Sequence, residues 1–74
     1  MGLLRQSDAV RTVCVLRGKN GRVLPKGVLG VLGNFVGVSQ VEGESVDVFD
    51  FVPDDYPGAW TVTEFDVKLV GREP

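Results

Sequence analysis

Six carboxylates, Asp47, Asp50, Asp54, Asp55, Glu64 and Asp66, fall within a twenty-residue stretch, a density that could supply a general acid and base. Such chemistry needs a pair held at fixed separation with proton affinities driven apart, and the spacing of these six imposes no pair of that kind. Asp54-Asp55, flanked by Pro53 and Pro57, reads as turn chemistry, and Asp66 as the cap of a single 3₁₀-type turn. The one thiol, Cys14, has no histidine anywhere in the chain to serve as its base, so it reads as a small buried hydrophobe. For the same reason the usual zinc spacings are absent. The glycines of Gly27-Val28-Leu29-Gly30-Val31-Leu32-Gly33 are followed by neither Lys-Ser/Thr nor a helix, which removes a phosphate loop. The expectation is therefore a protein without catalysis, cofactor or metal of its own.

Recognition is the other use of such residues. Arg17, Lys19, Arg22 and Lys26 surround one long connection and could neutralise phosphates, giving a weak RNA- or DNA-binding site. An isoelectric point near 4.9 argues against nucleic acid as the main partner. Tyr56 and Trp60, with Asp54 and Asp55 beside them, could form a loose groove for a basic peptide through apolar contact and cation-π attraction. The simpler role for Trp60 is to seal one end of the fold.

The elements that would position these residues are strands. No stretch of ten residues keeps a helical period, valine dominates, and ten glycines punctuate the apolar runs. Five strands follow between turn signals: Val10 to Leu16, Val28 to Val36, Ser45 to Phe51, Trp60 to Thr63 and Val67 to Val70. Asn20-Gly21 and Glu42-Gly43-Glu44 are tight-turn signals, and Gly30 and Gly33 point to a bulge or bend in the second strand. Residues 8–70 form one domain, with 1–7 and 71–74 expected as flexible ends. No apolar run approaches a membrane span, no export signal precedes the first strand, and with a lone thiol the expected location is cytoplasmic.

Three of these strands are apolar on both alternating faces. A chain of 74 residues builds one small core, so the second face calls for another partner. In the third strand Phe49 and Phe51 share one side, while Val46 and Val48 share the other. Burying the two phenylalanines removes the larger apolar area, so they are assigned to the core and the two valines to the outside. In the second strand Leu29, Val31 and Phe35 oppose Val28, Leu32 and Val36 unless a glycine bulge resets the register. Charge is also divided: residues 1–40 hold Asp8 alone among the acids, while residues 41–74 hold nine acids against Lys68 and Arg72.

The run Leu24-Pro25-Lys26-Gly27-x-x-Gly30-x-Leu32, the segment Val48-Phe49-Asp50-Phe51 and the ending Trp60-Thr61-Val62-x-x-x-Asp66-Val67 resemble small bacterial SH3-like barrel proteins of unknown function, many of them carried on mobile elements. In layout the chain is also similar to KOW modules and to the small stromal subunit of photosystem I. The resemblance implies a five-stranded SH3-like barrel with a short 3₁₀ turn before the last strand, used as an accessory binder. Plasmid-borne dihydrofolate reductases share the fold and line a tetramer pore with Val-Gln-Ile-Tyr. Here the corresponding stretch is Ala59-Trp60-Thr61-Val62-Thr63, which lacks the Gln and Tyr. The function expected is a non-enzymatic interaction module, acting as a homo-oligomer or docked on a larger protein, with a partner surface at Val46, Val48, Tyr56 and Trp60. The alternatives are the basic-loop nucleic-acid binder and an enzyme site assembled between subunits.

Overall fold

The computed structural model describes residues 4–71, and all its regular structure there is β apart from one 3₁₀ turn. In chain order the strands are β1 (Ala9–Thr12), β2 (Leu16–Arg17), β3 (Val23–Leu24), β4 (Leu29–Val41), β5 (Glu44–Pro53), β6 (Trp60–Thr63) and β7 (Val67–Gly71). Five of them form one antiparallel sheet in the order β6-β5-β4-β1-β7, while β2 and β3 pair as a separate short hairpin. The five-stranded sheet is open, with β6 and β7 as its edges.

The expected first strand divides in two. Thr12 is 1% exposed, and its hydroxyl donates to the Pro25 carbonyl at 2.8 Å and accepts from the Val28 amide at 2.9 Å. With the backbone bonds Thr12 N–H to Val28 and Gly27 N–H to Thr12, this ties β1 to the approach to β4. The next amide, Val13, turns to the Asp66 carbonyl, so the ladder stops and the chain leaves for the β2–β3 hairpin. A run of β-branched residues favours extended backbone but does not choose its partner.

β4 carries two register shifts against β5, one between Leu32 and Phe35 and one between Phe35 and Gly37. Each leaves an extra residue on β4, which bends the strand and raises its twist. The expected bend near Gly33 is therefore present, extended as far as Gly37. At Gly30 the bend brings β5 so close that a Cβ would stand 2.5 Å from the Val52 carbonyl oxygen and 2.7 Å from the Phe51 ring. Glu42 and Gly43 join β4 to β5 with φ of 51° and 83°, the double positive φ that a type I′ hairpin requires.

The core lies on one side of this bent sheet and is closed by the β2–β3 hairpin. Val10, Leu16, Leu24, Val28, Leu32, Phe49, Phe51, Trp60, Val62 and Val67 form one buried cluster. Phe49 and Phe51 are inward as expected. The turn from Thr63 to Asp66 is closed by the Asp66 amide donating to the Thr63 carbonyl at 3.0 Å, while the Asp66 carboxylate accepts from the Thr63 amide at 2.9 Å. It is a plain turn; the 3₁₀ geometry occurs instead at Lys19–Gly21, where Asn20 and Gly21 take φ of 60° and 75°.

Residues 4–7, expected as part of a loose end, are tied down: Leu4 packs against the core and the Ser7 amide donates to the Leu32 carbonyl at 2.9 Å. The expectation of flexible ends at 1–3 and 72–74 lies outside the described residues. No helix among the described residues is long and apolar enough to cross a membrane.

Candidate functional site

The residues singled out in the sequence fall in three separate places. Val46 and Val48 are on β5, but Val46 is only 2% exposed and Val48 is half-buried. This corrects their assignment to the outside. Alternation does place both opposite the phenylalanines, yet Val48 lies across from Thr63 at the end of β6. Phe65, in the turn that follows, shares a depression with Val41, Glu42 and Glu44 at the β4–β5 hairpin. The Thr63–Asp66 turn thereby reaches the β4–β5 hairpin. Val46 is nevertheless absent from the main core cluster.

Trp60 and Tyr56 do not share a groove. Trp60 starts β6 opposite Phe51, and its ring is 8% exposed beneath the β2–β3 hairpin. The fit there is close enough that a Cβ on Gly18 would stand 2.9 Å from Cζ3 of the indole. The Arg22 guanidinium stacks over the ring, 4.4 Å from its centroid, and donates to the Pro57 carbonyl at 3.2 Å. The indole N–H is buried without a hydrogen-bond partner among the described residues. Trp60 is thus a wall of the core, the simpler of its two expected roles, rather than an open platform. Tyr56 stays at the surface in a different depression of about 340 Å3, together with Pro25, Lys26, Asp54 and Asp55.

The basic residues separate in the same way. Arg17, Lys19 and Arg22 line one open groove of about 400 Å3 over Trp60, with Leu16, Thr61 and Asp66 also on its walls. Lys26 lies apart, in the Tyr56 depression beside two aspartates. Arg22 already directs its face to the indole and a donor to Pro57, which leaves Arg17 and Lys19 as the cations of the groove with no partner among the described residues.

The Cys14 sulfur lies 3.6 Å from Oδ1 of Asp66, and burial together with the neighbouring negative carboxylate pushes the thiol up from its ordinary range. A thiol held protonated is a poor nucleophile. No cluster of three metal-ligating side chains occurs among the described residues.

The feature that the sequence reading missed is the outer face of the five-stranded sheet. Ala9 pairs with Val31, and Val31 pairs with Val52. A register shift between Ala9 and Val10 leaves Val70 as the extra residue of β7 beside Ala9. One row across four strands therefore reads Val70, Ala9, Val31, Val52, with Val70 54%, Val31 42% and Val52 51% exposed. Leu29, next along β4 on the same side, is 49% exposed. Leu29 and Val31 were visible as half of a two-faced strand, but the row emerges only when the strand order and register set β1, β5 and β7 beside it. Comparison of the chain with family models, with curated proteins and with solved structures yields no match.

Proposed function

We propose that this chain is a non-enzymatic interaction module of the SH3-like barrel type that associates, with itself or with a larger protein, through the outer face of its five-stranded sheet. The observation that carries this reading is the exposed row Val70, Ala9, Val31, Val52 with Leu29 beside it. Contiguous apolar surface beyond a few hundred Å2 is unusual on monomers and commonly marks an interface. Burying it would contribute about 25 cal/mol per Å2, a driving force that solvent exposure leaves unused. The barrel type is supported by the order β6-β5-β4-β1-β7, by the short hairpin in the long connection from β1 to β4, and by the tight turn before the last strand.

Sedimentation across a concentration series tests the reading. The unmodified chain is expected to associate, and Val31→Asp to sediment as a monomer with an unchanged circular dichroism spectrum. Association that survives Val31→Asp undiminished would put the interface elsewhere.

A second reading, an anion or nucleic-acid site in the groove over Trp60, is favoured by the clustering of Arg17, Lys19 and Arg22. It is secondary because Arg22 is already engaged by the indole and Pro57. Salt-sensitive binding of single-stranded oligonucleotides, lost on reversing Arg17 and Lys19, is its signature. No binding at low salt by the unmodified chain would remove it.

A further inference from the structure

The outer face is polarised across its strands as well as apolar along its middle row. The neighbouring row runs Lys68, Arg11, Leu29, Asp54: Arg11 pairs with Lys68 on one side and with Leu29 on the other, and the Asp54 amide donates to the Leu29 carbonyl at 3.0 Å. Positive charge therefore stands on β7 and β1, and negative charge just past the end of β5, where Asp54 and Asp55 share a depression with Lys26. On the β5 side Asp50 also faces outward, since a Cβ on Gly33 would lie 3.2 Å from that of Asp50. Arg11, Lys68 and Asp54 are exposed, and none of the three makes an ion pair among the described residues. Two cations directly opposite one another on adjacent strands, with no acid between them, work against the isolated chain.

This pattern fits its own copy. We propose that the occupant of the outer face is a second copy of this chain, packed sheet to sheet about a two-fold axis that lies in the interface and runs along β4. Such an axis reverses the order of the strands while keeping each row level with itself. Val31 and Leu29 then meet their own counterparts on the axis, and Ala9 of one chain faces Val52 of the other, small against large. Arg11 of one chain stands over Asp54 of the other, twice by symmetry. An isologous contact of this kind is self-complementary and closes at two copies. Sheets stacked in this way lie about 10 Å apart with strands nearly aligned, within reach of an arginine and an aspartate projecting from facing strands. An axis across the strands through this row would instead set Arg11 against Arg11 and Lys68 against Lys68, cation upon cation. The pairing rests on the reading of the outer face as an interface.

Charge reversal tests the orientation. In the two-fold pair, Arg11→Glu alone and Asp54→Arg alone each create two like-charge contacts. Either is expected to raise the dimer dissociation constant by about tenfold or more, since like charges set against each other at an interface oppose association. Mixing the two variants restores both contacts at once, so native mass spectrometry of the mixture should show the heterodimer and little of either homodimer. Circular dichroism of each variant alone confirms that it is folded. A dimer that Val31→Asp dissociates but that is indifferent to both reversals would overturn the two-fold arrangement and leave the outer face as the interface. A dimer indifferent to Val31→Asp as well would overturn the reading of that face. An unmodified chain that stays monomeric at all concentrations would overturn the pairing with a second copy.

Discussion

Phe51 and Val52 are neighbours on β5, one fully buried and the other half-exposed, and they stand for the two faces of one sheet. The inner face is covered by the β2–β3 hairpin and the bend of β4; the Thr12 hydroxyl there is paired on both sides, whereas the Trp60 indole N–H has no partner among the described residues. The outer face also carries valine and leucine, but among the described residues Leu29, Val31, Val52 and Val70 on it stay about half exposed. Val46, outward by alternation, is nevertheless buried. Hydrophobicity alone therefore does not separate core from exposed face in this fold. What separates them is whether another element packs over the face.

Substitutions on the two faces should differ sharply. The largest effect is expected at Phe51→Ala, which empties a core site and should cost about 3–5 kcal/mol in urea unfolding. Val52→Ala, one residue away, should stay within about 0.5 kcal/mol for the monomer. Equal losses at the two positions would erase the distinction. Next comes Thr12→Val, which keeps the shape but strips a hydrogen bond from both the Val28 amide and the Pro25 carbonyl. Leaving such buried groups unpaired costs about 1–3 kcal/mol, measurable as a lower unfolding midpoint. A neutral Thr12→Val would mean that solvent reaches those groups and that this corner is not sealed.

The smallest effect concerns Cys14. Its proton affinity is raised in the fold, first by burial and then by Asp66, so the folded chain holds the proton more tightly than the unfolded one. The associated stability is complete below the unfolded thiol range, about pH 8.5, and is lost as pH rises through the higher folded value. Cys14→Ser should flatten the alkaline fall in melting temperature. In the unmodified chain, labelling by a thiol reagent at pH 7 should be slower than for a free cysteine. Labelling at the free-cysteine rate would show the thiol to be open and unperturbed.

Much of the framework was legible in the residues themselves. The β-branched runs and their glycine-bearing turns gave the all-β class, the Glu42-Gly43 hairpin and the strand at Trp60, because extended propensity and positive-φ turns are local properties. The weight of two aromatic rings against two valines decided correctly that Phe49 and Phe51 are core. The extra residues on β4 were foreshadowed by Gly30 and Gly33. Three things were not legible. Whether Val10 to Leu16 is one strand depended on the Thr12 hydroxyl finding partners at residues 25 and 28. Whether Val46 is exposed depended on how the neighbouring elements pack around β5, which alternation along one strand does not set. Whether Tyr56 and Trp60 converge depended on the β2–β3 hairpin settling over the indole.

By itself the amino-acid sequence determined that the chain is built of strands, that it has more apolar surface than one small core can use, and that it lacks the histidines and cysteine pairs of common catalytic and metal centres. Strand order and register, which join residues distant in sequence, decided which apolar residues line up into an exposed row and which charges flank it. Propensity and alternation act within a strand, whereas an interface is a property of neighbours across strands, and only the tertiary structure chooses those neighbours.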